Sequence, residues 1–391
     1  MNIYRTLLDL KNKLHNKKVV IRIDANVPIV EGVITDDSRI KEALPSIKFI
    51  LEEGASQVVI LSHFGRPKNQ EKEFSLIQIQ KHFEYLLGQS IEFCNDFKNL
   101  PNAKVILCEN LRYYKEEEKG DENFAQILAN LGDFYINDAF SCSHRAHASI
   151  SVVEKFKPVY AGFLMTKEIT NIELLLNSNN NKSLAIVGGS KVSTKINLLK
   201  NLIKKVDYLF VAGGMANTFL YAQGFNVGAS LCEKDFKSIA IDILEEAQKV
   251  NCQIILPSDF IVCKKIEKSA PSRMIHCDQI QSDDIIVDAG TQSVNNLVNI
   301  LKNCDTFVWN GPLGIFEIPP FEVSTFMLAR EVANLTEKKL LKSIIGGGDT
   351  ASAVLESGFK SQMTYISTAG GAFLEWLEGK ILPGVSACIK K

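Results

Sequence analysis

Short runs of apolar and β-branched residues recur along the chain, separated by stretches whose apolar positions repeat every three to four residues. In the first half the runs are 18–23 (KVVIRI), 57–62 (QVVILS), 104–107 (KVIL), 133–137 (DFYIN) and 158–163 (PVYAGF). In the second half they are 183–188 (SLAIVG), 207–212 (DYLFVA), 252–256 (CQIIL), 285–289 (IIVDA), 305–309 (DTFVW), 342–346 (KSIIG) and 363–367 (MTYIS). Continuous apolar runs predict strands buried on both faces, hence a mostly parallel sheet. Between them, 75–88 puts Leu76, Ile79, Phe83 and Leu87 on one helical face. Residues 192–206 do the same with Val192, Ile196, Leu199, Ile203 and Val206, and 235–250 with Phe236, Ala240, Ile243 and Ala247. Strand alternating with helix is the pattern of a doubly wound α/β protein.

The seam of this pattern lies at 164–182. Residues 166–177 read as a helix with Ile169, Ile172, Leu175 and Leu176 apolar, followed by the polar loop 177–181 (NSNNN). With 391 residues, two similar-sized lobes joined by a helix and a flexible turn are expected. Residues 208–232 carry no charge and are long enough to span a bilayer, but Gly213, Gly214, Gly224, Gly228, Asn217, Gln223 and Asn226 interrupt them. A buried strand, a glycine turn and a helix fit better.

Charge narrows the function classes. The chain has 44 basic and 45 acidic residues. Splitting at Asn180 gives 22 − 24 = −2 before and 22 − 21 = +1 after. Neither half has the bulk charge of a nucleic-acid or membrane-surface domain, so any anion site is a local cluster. The nine cysteines form no Cys-x-x-Cys pair, and Asp9, Lys11 and Lys13 break any apolar N-terminal run. Free thiols in a reducing cytoplasm are expected, with no targeting signal.

In open α/β sheets ligands bind at the carboxyl ends of the strands. In the first lobe those ends lead into Asp24-Ala25-Asn26 with Arg39 beyond, His63-Phe64-Gly65-Arg66-Pro67, Glu109-Asn110 with Arg112, and Asp138 followed by His144-Arg145-Ala146-His147. Only eight residues are Arg, against 36 Lys, yet Arg22, Arg39, Arg66, Arg112 and Arg145 all fall in or just after these segments. A chain that otherwise uses Lys suggests here positions needing a planar fork for phosphate or carboxylate. Structural ion pairs are the plainer reading for Arg22 and Arg112. His144 and His147 sit three apart, but Arg145 between them argues against a metal and for anion contact or simple packing.

In the second lobe the strand ends carry glycines. They lead into Gly188-Gly189-Ser190-Lys191 with Lys195 four residues on, Gly213-Gly214, the segment 310–317 (NGPLGIFE), the segment 346–351 (GGGDTA) and Thr368-Ala369-Gly370-Gly371. Glycine turns that open helices offer backbone N–H groups to phosphates. No Walker A motif is present. The segment 346–351 does match the dinucleotide fingerprint Gly-x-Gly-x-x-Ala, which keeps a dehydrogenase or flavoenzyme as a rival. No acidic residue follows the next strand to hold a ribose, however. Asp349 among these glycines suits either a Mg²⁺ ligand shared with phosphates or a plain helix cap. An Arg/His anion pocket on one lobe and glycine turns, two Lys and an Asp on the other together suggest phosphoryl transfer between two separately bound anions. The alternative is a nucleotide- or dinucleotide-binding α/β protein without kinase activity.

Eight ordered stretches resemble the phosphoglycerate kinase family along essentially the whole chain. They are 22–28 (RIDANVP), 63–67 (HFGRP), 109–118 (ENLRYYKEEE), 144–149 (HRAHAS), 188–196 (GGSKVSTKI), 309–317 (WNGPLGIFE), 346–351 (GGGDTA) and 379–385 (GKILPGV). The resemblance implies two Rossmann-like lobes: a phosphoglycerate-binding domain over 1–165, a hinge helix and linker over 166–182, a nucleotide-binding domain over 183–370, and a segment over 371–391 returning to the first. It implies reversible Mg²⁺-dependent transfer between 1,3-bisphosphoglycerate and ADP, giving 3-phosphoglycerate and ATP, a step of glycolysis. By resemblance, Asp24, Asn26, Arg39, His63, Phe64, Gly65, Arg66, Arg112 and Arg145 contact the phosphoglycerate. Lys195, Gly213, Gly214, Asn310, Pro312, Glu317, Gly347, Gly348, Asp349 and Thr350 contact the nucleotide, and Asp349 holds the metal. Arg39 and Lys191 flank the transferring phosphoryl group. A monomeric, cytoplasmic enzyme without nucleic-acid or membrane partners is expected. Departures from the family pattern are Ala369 in place of a glycine, Ser141, Cys142 and Ser143 in place of Gly, Thr and Ala, and Phe373 and Trp376 where smaller residues are common. Ala369 is where a changed backbone path is expected, because Ala disfavours positive φ.

Overall fold

The computed structural model describes residues 3–176 and 182–391, so the expected polar loop at 177–181 lies outside the described residues. Residues 1–170 together with 381–391 form one compact unit, and 171–380 form a second. The helix Phe163–Leu176 crosses from one to the other, with Ile169 and Ile172 buried.

The first unit is built on a six-stranded sheet. Its order is Glu92–Cys94, Val105–Cys108, Gln57–Leu61, Lys18–Arg22, Phe134–Asn137, Val159–Ala161, and every pairing is parallel. The central strands are buried throughout, as unbroken apolar runs require. Helix Ile77–Leu87 buries Ile79, Phe83 and Leu87 against this sheet's core and ends on Gly88 in the left-handed conformation, which Gly adopts at little cost. The chain's end completes this unit. Arg5 N donates to Cys388 O at 2.7 Å, Lys390 N to Ile3 O at 2.8 Å and Gly384 N to Ser143 O at 2.9 Å, and Leu382, Val385 and Cys388 are buried.

The second unit also has a six-stranded parallel sheet, in a different strand order. Its parallel order is Gln253–Ile255, Tyr208–Ala212, Ser183–Gly188, Thr306–Asn310, Lys342–Ile345, Tyr365–Ile366. Three details depart from the sequence pattern. The run 285–289 joins no parallel sheet. It pairs antiparallel with Asp259–Cys263, which pairs in turn with Ser272–His276. The helix expected over 192–206 is split into a turn at Val192–Thr194 and a helix at Ile196–Leu202, with Lys195 between them at φ −130°. Residues 371–380 lie with the second unit, not with the returning tail, because helix Gly371–Leu377 packs on helix Ile196–Leu202.

The uncharged run 208–232 is the strand Tyr208–Ala212, a turn at Gly213 and the helix Gly214–Ala222. No helix among the described residues is long and apolar enough to cross a membrane. Ala369 keeps an ordinary backbone, and the positive φ falls on Gly370 (53°). The bulk of Phe373 is taken up over Gly346, whose lack of a side chain makes room for the ring.

Candidate active site

The first unit gathers side chains at its strand ends. Asp24, 6% exposed, follows the central strand. Its Oδ2 accepts from Arg39 Nη1 at 2.7 Å and from the Ser141 hydroxyl, and its Oδ1 accepts from Asn26 N at 3.0 Å. Against the cost of burial, these donors hold the Asp24 carboxyl below its ordinary range. Arg39 itself is 36% exposed. One edge of its fork is spent on Asp24, so the other remains available to an anion.

The neighbouring loop is fixed by Asn110. Its Oδ1 accepts from Phe64 N and Arg112 N, both at 3.0 Å, and its Nδ2 donates to Phe64 O at 2.7 Å. Asn26 Oδ1 accepts from Gly65 N at 2.8 Å, and Arg112 Nη1 donates to Gly65 O at 2.5 Å. Asp24, Asn26, Arg39, His63, Phe64, Gly65 and Arg112 are thus knitted into one corner. Arg66 lies exposed three residues past His63. Arg145 is also exposed, close enough for its charge, with those of Arg22 and Arg112, to act on His147.

Arg22 differs from the other arginines. It is fully buried, donating Nε to Ser149 Oγ at 3.1 Å and Nη1 to its neighbour Ile23 O, with Nη2 3.3 Å from His63 Nδ1. Ser149 in turn donates to the buried Glu117 at 2.6 Å. Its fork is consumed inside the protein, which is the structural role and not an anion-binding one. Burial, opposed by Asp24 and reinforced by Arg22, Arg112 and Arg39, pushes the His63 imidazole well below its usual pKa. Burial and the same arginine field bring His147 down to about 4. Both rings are therefore neutral at pH 7. Among the described residues no group of three or more His, Cys, Asp and Glu side chains is arranged to hold a metal.

The second unit's site is made mainly of backbone. Gly188, Gly213 and Gly311 end three adjacent strands or open the turns after them; Gly188 touches Gly311 directly, and Gly213 packs on Gly189. A Cβ on Gly188 would lie 2.4 Å from Pro312 O, and one on Gly311 would lie 2.3 Å from Gly188 O. Lys195 reaches across these ends, donating to Gly188 O at 2.7 Å and Asn310 Oδ1 at 2.8 Å. That crossing explains why the helix breaks there. Asn310 Nδ2 donates to Gly346 O at 2.8 Å, and Gly311 N donates to Thr350 Oγ1 at 2.7 Å. Burial, partly offset by Asp349, lowers the Lys195 ammonium to about 8.

Beside these turns is a cavity of about 400 Å³. Gly213, Gly214, Pro312, Glu317 and Asp349 line it. Lys195, Asn310 and Thr350 instead brace the turns next to it. Gly347, with φ 92°, and Gly348 form the turn that opens the helix Gly348–Glu356, with Asp349 exposed in its first turn. Lys191 is exposed in the glycine turn. The opposite wall is apolar, with Leu231, Phe260, Ile285 and Val287. Most of it comes from the antiparallel strands 259–263 and 285–289, whose contribution no motif announced. Asn110 and Ser141 were named in the sequence but given no role, because their chief partners, Phe64 and Asp24, lie far away in it.

Two parallel-sheet α/β units, one with guanidiniums and the other with glycine turns and a lysine at the strand ends, define a phosphotransferase. The family model of phosphoglycerate kinase matches residues 8–380. Phosphoglycerate kinase of Xanthobacter autotrophicus is 45% identical over 396 residues, covering 99% of both chains. That of Zymomonas mobilis is 45% identical over 394 residues, covering 98% of this chain and 99% of that one. The structure of phosphoglycerate kinase from Coxiella burnetii aligns with a TM-score of 0.92 at 41% identity, covering 98% of each chain. That from Pyrococcus horikoshii aligns at 0.79 and 28% identity with the same coverage. The chain belongs to the phosphoglycerate kinase family, and its activity is phosphoryl transfer with a carboxyl group as acceptor.

Proposed function

We propose that the Asp24–Arg39 corner binds 3-phosphoglycerate, or 1,3-bisphosphoglycerate in the reverse direction, and that the cavity beside Gly213 binds the nucleotide. The observation that carries this reading is the contrast in donors. Arg39, Arg66, Arg112 and Arg145 supply planar forks suited to a ligand with a carboxylate and a phosphate. The second unit supplies an apolar wall for a base and backbone turns for a phosphate chain.

The acceptor carboxylate is ionised at pH 7, so no general base is required, and neutral His63 and His147 fit that need. Catalysis then consists of positioning and charge stabilisation. Arg39 and Lys191 neutralise charge on the transferring group, and Lys195 and the turns at Gly213, Gly214, Gly347 and Gly348 hold the phosphates. Asp349 suits Mg²⁺, a hard cation that takes one or two carboxylates and completes its shell with phosphate oxygens and water. When bound, that ion offsets phosphate charge. Direct transfer needs the two reacting atoms in contact, so the reading includes a hinge-bending step over the joining segment 166–182. It also includes a monomer in a reducing cytoplasm, where all nine cysteines are free thiols.

The test is ADP formation from Mg-ATP with and without 3-phosphoglycerate, trapping the acyl phosphate with hydroxylamine. Strict dependence on 3-phosphoglycerate is expected. Lys191→Ala is expected to lower kcat by ~10²–10³, as removal of a preorganised charge-stabilising donor does. Turnover without the acceptor, or a normal kcat in this variant, overturns the corresponding part.

A further inference from the structure

We infer that Ser141 is a positioning residue for the first unit's anion site: its hydroxyl fixes the Asp24 carboxylate, and through it the edge of Arg39 presented to substrate. The inference rests on the assignment of this corner to phosphoglycerate.

Asp24 is nearly buried and must satisfy its lone pairs within the protein. Oδ1 is taken by Asn26 N. Oδ2 is shared by two donors from opposite sides, Arg39 Nη1 and Ser141 Oγ. Ser141 belongs to the short turn Phe140–Cys142, which is anchored beneath: Cys142 N donates to Ala139 O at 3.0 Å, and Ser143 N to Phe140 O at 2.9 Å. The next residue reaches the chain's returning end, where Gly384 N donates to Ser143 O at 2.9 Å. The hydroxyl is therefore held by a fixed turn, whereas Arg39 is a long, half-exposed side chain in the first turn of helix Ser38–Glu52. Of the two donors on Oδ2, only Ser141 has a place set independently of the ligand.

Without the hydroxyl, Oδ2 keeps Arg39 as its one side-chain donor. The carboxylate is then free to rotate towards the guanidinium, and the arginine settles deeper on it, away from the anion. The charged form of Asp24 also loses a donor, so its proton is held to a higher pH. The other groups facing Asp24 are His63, with Nδ1 3.9 Å from Oδ1, and Arg22 and Cys142 behind it. None of them donates to Oδ2.

The experiment is steady-state kinetics of Ser141→Ala, Ser141→Gly and Ser141→Thr, with calorimetric titration of 3-phosphoglycerate in the absence of nucleotide. Ala and Gly are expected to raise KM and Kd for 3-phosphoglycerate ~3–10-fold, the range of one hydrogen bond to a charged group in a partly wet site. They should leave KM for ATP within about twofold and move the acid limb of kcat/KM for 3-phosphoglycerate to higher pH. Thr, which keeps the hydroxyl, should restore both readouts. Unchanged KM and acid limb in the Ala variant overturn the inference, as does equal loss on both substrates or failure of Thr where Ala fails. A wild-type enzyme that does not bind 3-phosphoglycerate sinks the site assignment instead, so the two failures are distinct.

Discussion

The two units each carry a six-stranded parallel sheet, in different strand orders, and build their strand ends in opposite ways. The first uses side chains: Arg39 and Ser141 share the Asp24 carboxylate, while Arg112 and Asn110 brace the loop at Phe64 and Gly65. The second uses main chain: Gly188 packs on Gly311 and Gly213 on Gly189, strand end against strand end, leaving no room for side chains. The difference matches the ligands proposed for each unit. A small acid with two charged ends must be gripped in one orientation, which planar forks do. A polyphosphate chain on a large base can be anchored by the base and only cradled at its phosphates. Rigidity also has different origins. In the first unit it comes from a carboxylate–guanidinium network, and in the second from the steric absence of Cβ atoms.

The strongest way to break this contrast is to put a Cβ into the second site. Gly213 has φ 64° and ψ −154°, a region open essentially to Gly alone. A Cβ there would sit 2.9 Å from Gly189 O. Gly213→Ala is expected to weaken nucleotide binding by ~30-fold or more while leaving the calorimetric Kd for 3-phosphoglycerate unchanged. If both ligands weaken together, the two sites are not built independently.

Arg39→Lys tests the other half. Arg39 spends one edge of its fork on Asp24 and keeps the rest for substrate, which a single ammonium cannot do. The charge is preserved, so any loss reports geometry. KM for 3-phosphoglycerate should rise about tenfold, the equivalent of ~1.4 kcal/mol, with KM for nucleotide unmoved. Equal KM would reduce Arg39 to a point charge and the forked-donor account of the first site with it.

This contrast also governs how much of the molecule could be read from the chain. Glycine turns at strand ends were legible because positive φ restricts residue choice to Gly, and the parallel strands because unbroken apolar runs have few other uses. The arginines stood out only against a lysine-rich background, and that signal did not separate Arg22, buried against Ser149 and Glu117, from Arg39 on the surface. Their difference lies in partners 127 and 15 residues away. The apolar wall at Phe260 and Val287 was hidden because 285–289 reads like the parallel runs around it and no strand was expected at 259–263. Lys195 was named as a nucleotide-side lysine, but as part of a continuous helix, since nothing local reveals a side chain that crosses to Gly188 and Asn310.

Lys195 is the exception within the second site, a side chain among main-chain donors, and it gives the smallest but sharpest test. Its ammonium titrates near 8 because burial disfavours the charge and Asp349 only partly restores it. Arginine forks stay charged far above that pH. The two sites should therefore part company between pH 7.5 and 8.5, where the charged fraction of a group titrating at 8 falls about threefold. The sign is fixed: Lys195 loses its proton as pH rises, so ADP binding without added metal weakens about threefold over this interval. Binding of 3-phosphoglycerate stays flat, because His63 is already neutral and Arg39 remains charged. Lys195→Met should bind ADP weakly at every pH and flatten the profile. A wild-type ADP profile that is flat to pH 9 would mean that the phosphate chain is held by backbone alone, and would make the second site even less like the first.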